Sequence, residues 1–517
     1  MKRAALVSPN TLNRILQQVE EAWMRCEFQP AIELLESAQR RDPANVRLLL
    51  DLGRKYGLRY DYAAAERYFE KALRLAPRKT EMFTAVLDHC LDFRNLDFEE
   101  RYLRRALEQP DATPYACVKL AELYERSRRL PEAAQLVDRA LKSDPASPVA
   151  LLARARQERL AGRLEAAEQV LRSFITKPFP NVWTSVRAGY ELGTILDLQQ
   201  KFDDAMAAFR EAKTLMLSHP QTGACLARNK ATLVHLKAMA PDISAGTLRR
   251  WHESGPALTP ARRLGLLCGH PRSGTTLLEQ VLDAHPDIIA AEETSTFTDD
   301  ALGPLMHDCP MDAQLLPVLE AATRPALQQS QAAYFQMMEL ALDSPIAGRL
   351  LIDKNPMLTP KIPAFIRILP ETKFLVALRD PRDVMMSCFT QPQGLNPATV
   401  SFLTLEGTAE HYSANMGLWR KLAPLMPVPY LEVRYEDMVE DLEAVARKTL
   451  DFLGIAWDAR VLEFAEHARK RAVRRPNYAE VTQPVYKRAR GRWHNYQKYL
   501  EPHLEKLEPF VKAFGYE

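Results

Sequence analysis

The octapeptide Gly269-His270-Pro271-Arg272-Ser273-Gly274-Thr275-Thr276 follows an apolar run, Leu264-Gly265-Leu266-Leu267-Cys268, and precedes Leu277, Leu278, Val281 and Leu282 at helical spacing. Strand, glycine-bearing loop and helix N-terminus together form an anion cradle. Backbone N–H groups converge there, and the positive end of the helix dipole faces the ligand. The spacing is that of the triphosphate-binding loop G-x-x-x-x-G-K-[ST], with Thr275 where that loop carries lysine. Without the lysine that reaches the β- and γ-phosphates, triphosphate chemistry is disfavoured. Arg272, inside the loop, can grip a phosphate and the anion attached to it. The expected ligand is a phosphate-bearing nucleotide other than ATP or GTP, held by Arg272, Ser273, Gly274, Thr275 and Thr276.

Three further apolar runs end in polar residues that can act on such a ligand. Leu350-Leu351-Ile352-Asp353 leads to Lys354, Phe374-Leu375-Val376-Ala377-Leu378 to Arg379, and Tyr430-Leu431-Glu432-Val433-Arg434 to Tyr435. Strands alternating with helical segments from Leu264 onward predict a parallel sheet, whose ligand lies beyond the strands' carboxyl ends. Lys354, Arg379 and Tyr435 should therefore converge on the loop. The segment Arg379-Asp380-Pro381-Arg382-Asp383-Val384-Met385-Met386-Ser387 repeats the strand–turn–helix logic, with Asp380 as N-cap and Pro381 in the first turn. Arg379 and Ser387 facing one phosphate would make a second anion site, which implies a nucleotide with two separated phosphate groups.

The first half of the chain repeats. Pro43, Pro77, Pro110 and Pro145 recur at intervals close to 34, in step with Ala31, Ala65, Ala133 and Ala167. One unit reads Leu52-Gly53, Tyr56, Ala65, Phe69, Ala72 and Pro77; a later one reads Leu192-Gly193, Ala205, Phe209 and Ala212. Residues 15–220 resemble the tetratricopeptide repeat, in five or six units with a degenerate one near Glu99 and Leu103. The resemblance implies a superhelix whose concave face binds peptide segments. The expected architecture is an all-α tetratricopeptide-type array (1–220), a helical connector (221–260) and an α/β P-loop-like domain with a central parallel sheet (261–517).

At 517 residues, several domains are expected. A net charge of +3 exerts no global pull on nucleic acid or membrane. Seven scattered cysteines fit reduced thiols, and no stretch approaches the roughly 20 apolar residues of a membrane helix. A cytoplasmic location is the expectation.

Residues 264–517 resemble the sulfotransferases that use 3′-phosphoadenosine 5′-phosphosulfate. Pro271-Arg272-Ser273-Gly274-Thr275-Thr276 looks like their 5′-phosphosulfate loop, and Arg379 to Ser387 like their 3′-phosphate site. Asp283-Ala284-His285-Pro286-Asp287 with Glu292-Glu293-Thr294 is closer to the tyrosylprotein branch. The resemblance implies Glu293 as the base, with Lys354 and Arg272 stabilising the leaving oxygen. It further implies Tyr435 and Thr482 near the cofactor, and a basic cap over the 3′-phosphate that includes Lys487, Arg490 and Gly491-Arg492-Trp493. That cap belongs to a stretch, Arg469 to Arg492, with nine basic residues against the single acid Glu480. His270 and His285 read as structural. Ser295 stands where the eukaryotic tyrosylprotein enzymes carry an Arg for acidic peptides.

The expected reaction is sulfuryl transfer without a metal, to a peptide or protein hydroxyl that the array presents, tyrosine among the candidates. A sugar or lipid acceptor, a kinase and an inactive scaffold are the alternatives. The kinase reading lacks its loop lysine.

Overall fold

The computed structural model describes residues 8–516 apart from 77, 91–92, 94, 111, 176–178, 180, 308–313 and 472–488. Six helical hairpins come first: α1 (Pro9–Met24) with α2 (Phe28–Arg41), α3 (Val46–Leu58) with α4 (Tyr62–Leu75), α5 (Lys79–Cys90) with α6 (Leu96–Leu107), α7 (Pro114–Arg126) with α8 (Leu130–Ser143), α9 (Pro148–Leu160) with α10 (Leu164–Phe174), and α11 (Val182–Leu198) with α12 (Phe202–Leu217). Small residues explain the close pairing. A side chain at Gly53 would meet the Phe69 ring at 2.4 Å, and one at Gly193 would meet Phe209 at 2.5 Å. The repeated Gly and Phe are thus two halves of one contact between paired helices. Among the odd-numbered helices α3 packs on α5, and α9 packs on both α7 and α11. Tyr115 donates to Asp88 (2.9 Å), Arg156 to Glu122 (3.4 Å) and Arg159 to Glu191 (2.5 Å) across that inner face.

Helices α13 (Thr222–Asp242) and α14 (Ala245–Ser254) lead into the α/β half. Buried Trp251 anchors α14, its indole N–H donating to Glu320 at 2.6 Å. Five parallel strands follow: β1 (Arg263–Gly269), β2 (Ile288–Glu292), β3 (Leu350–Lys354), β4 (Lys373–Leu378) and β5 (Tyr430–Arg434), in the order β2-β3-β1-β4-β5. The sequence reading anticipated all but β2. Its Ile-Ile-Ala-Ala core is short, and alanine contributes little strand propensity. Burial on the sheet decides its conformation.

The first strand lies in the middle; the chain steps to edge strand β2, returns to β3 beside β1, and then crosses to β4 and β5 on the other side. The crevice of a doubly wound sheet opens at such a reversal, and the Gly269–Thr276 loop leaves β1 there. Helix α15 (Thr275–Asp283) follows directly.

One hydrophobic core runs from Val186, Tyr190, Phe209 and Met216 of the last hairpin into Leu266, Val376 and Phe389 of the α/β half. The array's first hairpins also touch that half. Arg59 pairs with Asp300 at 2.5 Å, and His307 lies 3.1 Å from Glu27. Among the described residues no helix is long and apolar enough to cross a membrane.

The loop approaches its neighbours closely. Gly269 has φ +138°, and a Cβ there would stand 2.4 Å from the Ala377 carbonyl oxygen on β4. Both the dihedral and the contact exclude a side chain. Gly269→Ala is therefore expected to lower stability by roughly 3 kcal/mol or more, read as a fall in urea midpoint. An unchanged midpoint would rule out this close approach.

Candidate functional site

A cleft of about 500 Å³ opens at the carboxyl ends of β1, β3 and β4. Arg272, Gly274, Thr275, Thr276, Glu293, Arg379, Ser387 and Tyr435 all line it, so residues from separate elements meet there. Asn355, Met357, Gln391, Asn396 and Phe402 form much of the remaining wall. Helix α15 starts at Gly274 (φ +89°) with no side-chain cap on its first turn. That end therefore keeps its N–H donors for a ligand. Ser273 and Thr275 are buried in the loop.

The loop is braced from three directions. Arg272, held at φ +71°, donates from Nε to Ser387 Oγ at 2.9 Å. The Arg272 carbonyl accepts from Arg379 Nη1 at 3.1 Å. Tyr435 packs against Gly274, where an added Cβ would meet its ring at 2.7 Å, and its ring lies 4.7 Å from the Arg379 guanidinium carbon. The two anion-site segments thus share one hydrogen-bonded frame.

Arg379 is 8% exposed. Its Nη2 donates to the Ala489 carbonyl at 2.5 Å, while Asp383 stands 4.0 Å away. Nε is buried and has no hydrogen-bond partner among the described residues. Two of the three guanidinium nitrogens bind neutral carbonyls, so the nearest counter-charge is the Asp383 carboxylate at the limit of ion pairing. A buried donor in that condition costs stability unless an anion arrives. Asp383 instead organises the chain above the cleft, accepting from Gly491 N (2.7 Å) and Trp493 N (2.9 Å). Burial raises its pKa, against the pull of Arg379. Asp380 caps helix Pro381–Thr390 through the Arg382 amide at 2.9 Å, as its sequence position predicts.

Lys354 ends β3 with no exposed surface, its Nζ 3.0 Å from both Glu279 Oε2 and Glu293 Oε1. Glu293 follows edge strand β2. Its N–H donates to the Lys354 carbonyl at 2.7 Å, its φ is +45°, and its side chain is 20% exposed. One carboxylate therefore reaches the cleft while the other, Glu279, is sealed behind the ammonium. Burial pushes the Glu279 carboxyl up to about 8, with Lys354 opposing and Glu292 reinforcing.

Two site expectations, Thr482 and Lys487, lie outside the described residues. Arg490 is not brought to the cleft: its exposed side chain lies 3.6 Å from Glu440. Gly491 turns the chain at φ +68°, and Arg492 lines the cleft instead. His270 is buried, sharing a hydrogen bond with His411 at 3.0 Å, and its pKa is lowered by burial and by that neighbour. His285 Nδ1 accepts from Asp287 N, and its Nε2 lies 2.9 Å from the Ala456 carbonyl. Both histidines hold loops. Among the described residues no group of three His, Cys, Asp or Glu is placed to hold a metal ion.

Glu279 is the site residue that sequence reasoning missed. Its signal was an acid one turn after Thr275, set among the apolar Leu278, Val281 and Leu282 of the same helix.

Residues 266–459 match the model of the sulfotransferase family, and residues 118–181 match a tetratricopeptide-repeat model. The α/β half thus carries a sulfotransferase-family domain, and the helical half a tetratricopeptide region. A Drosophila melanogaster protein-tyrosine sulfotransferase is 30% identical over 211 residues, covering 39% of this chain and 40% of the relative. Protein-tyrosine sulfotransferase 1 of Danio rerio is 26% identical over 38% of this chain and 55% of its own length. An uncharacterized Aquifex aeolicus protein is 24% identical over 81% of this chain and 57% of its own length. The chain spans about half the length of these curated relatives. Among solved structures, the sulfotransferase domain of the Synechococcus olefin synthase aligns with 50% of this chain and 98% of its own at 20% identity and TM-score 0.34.

The Glu279 carboxyl yields a stability prediction. Its folded pKa, about 8, exceeds the ordinary 4.5, so the fold holds this proton more tightly than the unfolded chain. Its contribution is complete below that ordinary value and is lost as pH rises towards the folded one. Glu279→Gln should therefore flatten the fall in urea midpoint between about pH 5 and about pH 8. Equal slopes in variant and wild type would remove Glu279 as the source.

Proposed function

We propose that the protein is a sulfotransferase that takes the sulfuryl group of 3′-phosphoadenosine 5′-phosphosulfate to an acceptor hydroxyl on a peptide or protein. The observation that carries the reading is the buried Arg379 guanidinium. Its Nε is buried without a hydrogen-bond partner among the described residues, and the side chain lines the same cleft as an uncapped helix start, with Arg272 and Ser387 linking the two. Such an arrangement fits a ligand with anionic groups at two places, which a bisphosphorylated adenosine has and a triphosphate does not. Arg272, Ser273, Gly274, Thr275 and Thr276 would hold its 5′ side; Arg379 and Ser387 would hold the 3′-phosphate, with Tyr435 packed beneath.

When bound, the donor supplies a sulfuryl group on a phosphate leaving group. Glu293 takes the proton of the acceptor hydroxyl as its oxygen bonds to sulfur and the bond from sulfur to the phosphate oxygen breaks. Lys354 and Arg272 place positive charge where that oxygen becomes anionic. Once Glu293 is protonated, its hold on Lys354 weakens, and Glu279, 3.0 Å away on the other side, still fixes the position of the ammonium. The reaction as written needs no divalent ion.

The protein-tyrosine sulfotransferase names of the relatives support a protein acceptor. The inner face of the odd-numbered helices is the surface on which the array would present it, and a cytoplasmic setting accords with the free thiols.

Calorimetry with adenosine 3′,5′-bisphosphate tests the donor site: binding is expected, and heat with magnesium ATP alone would overturn it. Arg379→Ala should weaken that binding at least tenfold, since a charge-assisted phosphate contact is lost; an unchanged dissociation constant would remove Arg379 from the site. Glu293→Ala should keep nucleotide affinity while cutting label transfer from radiolabelled phosphosulfate to lysate proteins by roughly 10²-fold. Undiminished transfer would exclude Glu293 as base, and label confined to small molecules would exclude the protein acceptor.

A further inference from the structure

The last hairpin of the array reaches the rim of the cleft. At the end of α11, Asp197 Oδ2 lies 2.8 Å from Arg492 Nη2, and its Oδ1 accepts from the Tyr496 hydroxyl at 2.5 Å. Arg492 lines the cleft, and its own backbone is pinned on both sides by Asp383, which binds the amides of Gly491 and Trp493. From α12, buried Lys213 donates to the carbonyl of Phe402, another cleft residue, at 2.5 Å. Its ammonium lies 5.0 Å from the Phe389 ring, on the helix that carries Ser387. Two array side chains therefore hold two cleft residues, across a continuous core.

We infer that the array's last hairpin is a structural wall of the nucleotide site, with Asp197 as a positioning residue that fixes Arg492 for the anionic ligand. An arginine on a left-handed turn after Gly491 has many rotamers, and holding one of them costs side-chain entropy. The carboxylate on α11 offsets that cost before the ligand arrives. With Asp383 fixing the backbone and Asp197 the guanidinium, the cation is pre-organised from two halves of the chain. Asp197 touches no ligand; it acts through Arg492. The inference rests on the nucleotide reading above.

The test is calorimetry of the full chain with adenosine 3′,5′-bisphosphate. Arg492→Ala should weaken binding by about tenfold, and Asp197→Asn by about fivefold. The double variant should be no weaker than Arg492→Ala alone, because both changes remove one arrangement. Asp203→Asn serves as the control: Asp203 accepts from Lys498 at 2.8 Å and Tyr499 at 2.9 Å at the same interface, well exposed, and affinity should be unchanged. Wild-type affinity in Asp197→Asn, or losses that multiply in the double variant, would overturn the inference while leaving the nucleotide reading intact. Absence of binding to the wild type would instead sink that reading. Should Asp197→Asn not fold, hydrogen exchange of the wild type decides: ligand should slow the amides at 195–199, and unaltered exchange there overturns the proposal.

Discussion

Positive charge placed out of water dominates this molecule. Moving a cation into a protein interior is costly unless it is paired or hydrogen-bonded, and two cations meet that demand differently. Lys354, fully buried, sits between the carboxylates of Glu279 and Glu293. Arg379 leans on neutral carbonyls, with Asp383 no nearer than 4.0 Å. The first is balanced within the fold and can act in proton and charge shifts. The second has one carboxylate at the limit of ion pairing and a buried Nε without a hydrogen-bond partner among the described residues.

Sheet order makes both arrangements possible. With β1 central, its loop is flanked by the ends of β3 and β4, so Lys354 and Arg379 approach the loop from opposite sides. Backbone contact is intimate because Gly269 and Gly274 carry no side chains where Ala377 and Tyr435 press in. Left-handed backbone at Arg272 and Glu293 costs of order 1–3 kcal/mol each. Packing elsewhere must supply that energy. Both residues aim into the cleft, which accords with strain being retained where chemistry is done.

Much of this could be read from residue order. Gly269, Gly274 and the threonines announce the loop because turn geometry and helix polarity demand those types locally. Lys354, Arg379 and Tyr435 were legible as strand-end residues, since a parallel sheet gathers such positions whatever their separation. Glu279 was not, because a glutamate in a helix ordinarily faces solvent, and only the packed structure shows it behind Lys354. Arg490 and Arg492 illustrate the same limit. Two residues apart in a basic run, they are equivalent in composition, and the left-handed turn at Gly491 sends one outward and the other inward. Strand β2 escaped for a third reason: its alanines are placed by burial between β3 and the helices, not by intrinsic preference.

The repeat periodicity ends near residue 220, but cooperative packing does not. Val186, Tyr190, Phe209 and Met216 belong to the core that also holds Leu266 and Val376 of the sheet. Removing the last hairpin would expose that apolar surface and strand Arg492 without its carboxylate. A period in sequence records how a unit was built, whereas a folding unit is bounded where few contacts cross. By that criterion α11 and α12 belong to both sides, since Ala188 and Ile195 also pack with Leu152, Ala167 and Leu171 of the preceding hairpin. The preceding hairpins contact the α/β half through charged residues such as Arg59 and Asp300, a smaller and more polar attachment. The array is thus joined to the α/β half by a shared core at its C-terminal end and by ion pairs at its N-terminal end.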